Sequence, residues 1–202
     1  MKLITIFFTS VVAVALSTLA PTSTAAPVKY VATLSNVGEP PAAASSLGTG
    51  NATVFLDLAI HTLEVHVSFN NLSGNTTVSH IHCCTVIAGT GNAGVATEVP
   101  SFPGFPSGVT AGTYIETFAL NDSGSFNPAF IMNNGGSVAG AEAALAAGLD
   151  AGKAYVNIHS SLSPGGEIRG FLLRVVPEPQ NVALMLFGIG AVGWMRRRKR
   201  ST

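Results

Sequence analysis

The sequence predicts an all-β sandwich of one domain with one short helix, held between an N-terminal signal peptide and a C-terminal membrane segment. Three observations carry that prediction. Short runs with a period of two recur along the chain, and clusters of Gly, Asn, Pro and Ser separate them. The 202-residue chain has apolar segments at both ends, and setting these aside leaves about 150 residues, the size of one domain. The mean hydropathy of +0.44 therefore overstates how apolar the body is.

The elements follow in order. Lys2, an apolar stretch and the small-residue run ending at Ala25-Ala26 have the three parts of a secretory signal, so residues 1–26 read as a cleaved signal peptide and the body as exported. "VKYVATL" is the first strand. In "NATVFLDL" Val54, Leu56 and Leu58 share one face, with Thr53, Phe55 and Asp57 opposite. In "TLEVHVSF" Leu63, Val65, Val67 and Phe69 oppose Glu64, His66 and Ser68. "TVSHIH" and "TYIETFAL" are further strands. Between them residues 85 to 112 carry six glycines and three prolines, with enough Val and Phe to pack as an ordered loop. "SVAGAEAALAAGLDAG" reads as the helix, with Ser137 as N-cap and Gly148 near its end. "AYVNIH" and "EIRGFLLRVV" close the body as a hairpin around "SSLSPGG".

A transmembrane helix is expected over 181–195. Val182 to Met195 is uninterruptedly apolar and meets Arg196, Arg197, Arg198, Lys199 and Arg200. At 1.5 Å per residue that apolar run covers about 21 Å, short of a full bilayer core. Trp194 and the basic tail suit a membrane interface. Between Pro27 and Val176 four basic residues stand against nine acidic ones, a net of −5. An acidic body without a basic stripe argues against nucleic acid as a partner.

"SHIHCC" at 79–84 places two of the five histidines beside the only two cysteines. His80 and His82 lie two apart on a strand and project from one face. In a symmetric closing hairpin His159 pairs with Glu167, Asn157 with Arg169 and Tyr155 with Phe171, while Val156, Ile158, Ile168 and Leu172 face the core. One reading of that polar face is structural, with Glu167 and Arg169 neutralising each other across the strands. The other brings His159 to His80 and His82, with Glu167 behind them, as a nitrogen-rich site for copper or zinc. His61 and His66 read as surface residues. Cys83 and Cys84 are open to three fates in an exported protein: a strained vicinal disulfide, a bond to a second chain, or soft ligands beside the histidines.

Two resemblances extend this reading. Pro177-Glu178-Pro179, an apolar stretch and the terminal cluster of Arg196, Arg197 and Arg198 resemble the PEP-CTERM sorting signal of bacterial exported proteins. The resemblance implies an exosortase as partner, processing near Pro-Glu-Pro, and a cell-envelope or extracellular-matrix destination with at least transient anchoring. The second rests on "LSNVGEPP", His80-Ile81-His82, Tyr155 to His159 and Pro164 to Gly170, which together resemble the CHRD domain, named from chordin. It covers residues 27–176 and implies an immunoglobulin-like or superoxide-dismutase-like β-sandwich, without implying an activity.

No Gly-x-Ser-x-Gly elbow, His-Glu-x-x-His helix or phosphate loop is present. The expected function is a non-catalytic envelope or matrix module, acting by adhesion or assembly with matrix components as partners. The alternative is a copper- or zinc-binding or redox domain using His80, His82 and His159.

Overall fold

The computed structural model describes residues 26–39 and 43–176. The expected transmembrane segment, the sorting motif and all of the expected signal peptide except Ala26 lie outside the described residues.

Eight strands form two antiparallel sheets. The larger contains β1 (Val28–Leu34), β2 (Thr49–Asp57), β3 (Thr62–Asn70), β5 (Gly112–Ala119) and β8 (Leu173–Arg174), in the order β5-β3-β2-β1-β8. The smaller contains β4 (Thr76–His82), β6 (Tyr155–Ser160) and β7 (Ile168–Phe171), in the order β4-β6-β7. Alternation decides which side of each strand is covered. Leu63, Val65, Val67 and Phe69 of β3 are buried, while the intervening Glu64, His66 and Ser68 are not. Val54 and Leu56 follow the same rule, whereas Leu58 falls in the turn after β2 and is exposed. The smaller sheet sends Ile81, Val156, Ile158 and Ile168 into the same core, all fully buried. Each such side chain stabilises the fold by roughly 1.5–3 kcal/mol. The sheets join at a corner where Ser35 and Arg169 exchange N–H···O bonds of 3.0 and 2.8 Å. This is the two-layer, mostly β architecture that the period-two runs predict.

Two α-helices are present rather than one. The helix α2 (Val138–Asp150) is capped by Ser137, whose Oγ accepts the Gly140 N–H at 3.1 Å, and it buries Ala141, Leu145 and Leu149 at four-residue spacing. Gly148 lies inside the last turns, not beyond them. A Cβ there would collide with both sulfurs of Cys83 and Cys84, so glycine serves close packing instead of ending the helix. The other helix, α1 (Pro128–Asn133), is six residues long, too short to show a period. Its start signals are nonetheless in the sequence: Asn127 caps the Ala129 N–H, and Pro128 opens the first turn.

The loop between β4 and β5 is ordered by its own apolar residues. Phe102 and Phe105 are buried, with the Phe102 ring 5.6 Å from that of Tyr114 and 5.4 Å from that of Phe118. The loop runs along the free edge of β4. Phe102 donates its N–H to the Ser79 carbonyl (2.9 Å), Ala96 to that of Ile81 (2.9 Å), and Cys83 to that of Gly94 (3.0 Å). It is thereby fixed where its carbonyls can meet side chains of the smaller sheet.

Candidate metal centre

On the face of the smaller sheet turned away from the core, register places Asn157 opposite His80 and Tyr155 opposite His82. On the other side of β6, Arg169 stands opposite Asn157 and Phe171 opposite Tyr155, as the hairpin reading expects. His159 follows two residues after Asn157 and so shares this face. Its ring lies 5.5 Å from that of His80 and 5.9 Å from that of His82, which are themselves 5.8 Å apart. The three residues are 5, 8 and 9 % exposed for His80, His82 and His159. One nitrogen from each lies within 4.8 Å of the other two. Zinc or copper needs each nitrogen about 2.0–2.1 Å away, hence the nitrogens roughly 3.3 Å apart, a closure that small rotations within the side-chain wells supply.

The other ring nitrogens decide the chemistry. His80 Nε2 lies 2.6 Å from the Pro100 carbonyl, His82 Nδ1 2.9 Å from that of Ala93, and His159 Nδ1 2.8 Å from that of Pro164. A carbonyl only accepts, so each of these nitrogens carries the hydrogen, and a neutral imidazole has just one. His80 Nδ1, His82 Nε2 and His159 Nε2 are therefore lone pairs, and all three are buried without a partner. Three acceptors converge with no donor among them. A single water offers two hydrogens and leaves one acceptor unsatisfied; a metal ion satisfies all three. Carbonyl bonds to the far nitrogens are also what orients metal-binding imidazoles.

Burial keeps the rings neutral. It lowers the pKa of all three histidines, against the smaller upward effect of the carbonyl bonds, and takes His82 down to about 4. Positive charge on Arg169 lowers His82 and His159 further. A histidine whose folded value is depressed contributes stability that is complete above the ordinary 6.5 and is lost as pH falls toward the folded value. The metal-free domain should thus lose stability between about pH 6.5 and pH 4, by about 3 kcal/mol from His82 alone. Urea midpoints across that range measure it; a flat profile would show that the rings are hydrated.

Two sequence expectations for this face are corrected. Glu167 does not stand behind the histidines and does not pair with Arg169. Its N–H bonds to the Ile158 carbonyl at 2.8 Å, although Ile158 is already opposite Ile168, so two residues of one strand face one of the other. This β-bulge turns the Glu167 side chain off the polar face. There the fully buried carboxylate accepts from Ser46 Oγ (2.6 Å) and from the N–H groups of Ser73 and Gly74. Burial raises the pKa of its carboxyl, but bonds from Ser160, Ser46, Ser73 and Gly74 outweigh that and leave it below the usual value.

Arg169 has a different partner. Its Nη2 donates to Glu39 Oε2 at 3.0 Å and its Nη1 to Asn92 Oδ1 at 2.8 Å and the Gly91 carbonyl at 3.2 Å. The guanidinium lies 4.9 Å over the Tyr155 ring, which stacks on His82 at 4.9 Å on its other face. Glu39 sits in "GEPP", where only the sequence separation of 130 residues hid the pairing. Cys83 and Cys84 are joined to each other and lie against α2 at Gly148, apart from the three histidines. Asn157 remains on the polar face, 2 % exposed. His61 and His66 lie outside the cluster; His61 meets Glu142 at 2.9 Å.

A two-sheet β domain whose roofed polar face holds three convergent histidines is the class of protein defined here. The chain belongs to the CHRD-domain family: the family model described as CHRD domain matches residues 30–172. A second model, described as a PEP-CTERM protein-sorting motif, matches residues 175–200. That motif implies recognition by an exosortase, with export and sorting at the cell envelope. No curated protein and no solved structure matches the chain significantly.

Proposed function

We propose that the protein is an exosortase-sorted envelope or matrix module that binds one copper or zinc ion through His80 Nδ1, His82 Nε2 and His159 Nε2. The observation that carries this reading is the convergence of three buried imidazole lone pairs whose tautomers are set by the Pro100, Ala93 and Pro164 carbonyls. Neutral imidazoles suit copper and zinc above magnesium or calcium, which take oxygen ligands. Three protein ligands leave a fourth position open, the pattern of reactive rather than purely structural sites. An adhesive or assembly role draws on the sorting motif alone, whereas the metal role draws on the polar face itself.

The test is elemental analysis of the purified full chain after incubation with copper or zinc and removal of excess ion. One equivalent bound is expected. A metal-free protein under both conditions would overturn the reading.

Processing is a separate expectation. The mature chain should begin near Ala26 or Pro27 and end near Pro179, which intact mass spectrometry of the native protein measures. A mature chain still carrying Arg196 to Arg200 would defeat removal of the tail.

A further inference from the structure

The ligand set is neutral, and that sets a charge problem. The carboxylate beside the histidine face, Glu39, has its side chain fully buried and one oxygen already on Arg169. A divalent ion held by three neutral rings would thus carry uncompensated charge in a nearly sealed place, where charge is costly. Arg169 adds to it. Its positive charge reaches His82 and His159, so it opposes a bare dication and attracts an anion.

The remaining orphaned polar atoms lie on the same face. Among the described residues the buried side-chain nitrogens and oxygens without a partner are the three imidazole lone pairs, Asn157 Oδ1, Glu39 Oε1 and Arg169 Nε. Asn157 stands directly between His80 and Arg169 in the ladder. Gly166 (φ +125°) presses on this group: a Cβ there would come within 2.6 Å of Asn157 Nδ2 and 2.7 Å of Oδ1. A donor left unpaired on a buried guanidinium and an amide left half-used are costly unless a ligand meets them. Arg169 also borders a surface cleft of about 300 Å³ lined by Ser35, Gly38, Gly91 and Phe171, which gives small ions a route to it.

The geometry points to a second ligand at this centre: a small monovalent anion, of hydroxide to azide size, that completes the coordination of the metal and is held by Arg169 Nε–H and the Asn157 amide. The inference rests on the metal reading above. It assigns Arg169 and Asn157 to anion binding, not to metal binding. It also makes the ion's charge state a matter of the anion: a divalent ion is retained with one anion, and the neutral rings alone do not suffice.

The test loads the purified full chain with Cu(II), measures bound copper first, and then titrates azide while recording the absorption and electron paramagnetic resonance spectra. A saturable change with one azide per copper is expected. In Arg169→Lys, which keeps the charge but loses the Nε–H, and in Asn157→Ala, azide should bind about tenfold more weakly at unchanged copper content. Copper bound with no spectral response to azide would overturn the anion site and leave the metal reading standing. An azide response equally strong in both variants would overturn the assignment to Arg169 and Asn157. No copper uptake at all would remove the metal reading and this one with it.

Discussion

Replacing Arg169 with Ala should cost about 3–5 kcal/mol of stability, the range for removing one partner of a buried ion pair. The residue is 5 % exposed and its partner Glu39 has a fully buried side chain, so the substitution leaves a carboxylate with neither water nor cation. It also removes the bonds to Asn92 and Gly91 and the cation over Tyr155. Burial already raises the pKa of Glu39, while Arg169 lowers it. Without Arg169 the rise is larger, and a carboxyl raised in the folded state favours folding at low pH and loses that contribution as pH rises. The deficit of the variant should therefore shrink as pH falls. Urea denaturation at pH 5 and pH 8 measures both effects. The double variant Glu39→Leu with Arg169→Met should recover much of the loss, because exchanging a buried pair for apolar groups is often neutral. An Arg169→Ala midpoint unchanged from the parent would show the pair to be hydrated.

Replacing His159 with Ala should weaken copper or zinc binding by about 100-fold or more, since loss of an outer partner alone typically costs 10–100-fold. His159 is the one member of the triad that comes from a distant part of the chain, and its Nε2 is buried and unpartnered. The fold should survive, because its other contact is a single bond to the Pro164 carbonyl. Competition against a chromophoric chelator measures the affinity, with circular dichroism as the control for folding. An affinity equal to that of the parent would remove His159 from the site and with it the three-ligand centre.

The sequence by itself determined the strands, their buried faces and much of the polar face. Alternation is a local property: Leu63, Val65, Val67 and Phe69 can share the core side only as a strand. The pairing of Asn157 with Arg169 and of Tyr155 with Phe171 was legible too, because a short turn propagates one register along both strands. His80 and His82 had to share a face for the same reason. What only the tertiary structure decided is everything that depends on a register break or on contacts distant in the chain. The bulge at Glu167 moves its carboxylate to Ser46, Ser73 and Gly74, and no pattern in "GGEIRG" announces that extra residue. Glu39 reaches Arg169 across 130 positions. Cys83 and Cys84 follow β4 onto the packing surface of α2, away from the histidines beside them in sequence. The ring tautomers come from carbonyls at positions 93, 100 and 164, two of them on a loop whose path is set by Phe102 and Phe105 in the core. Periodicity specifies which way a side chain points; which groups it meets there is settled by the packing of segments that do not adjoin it.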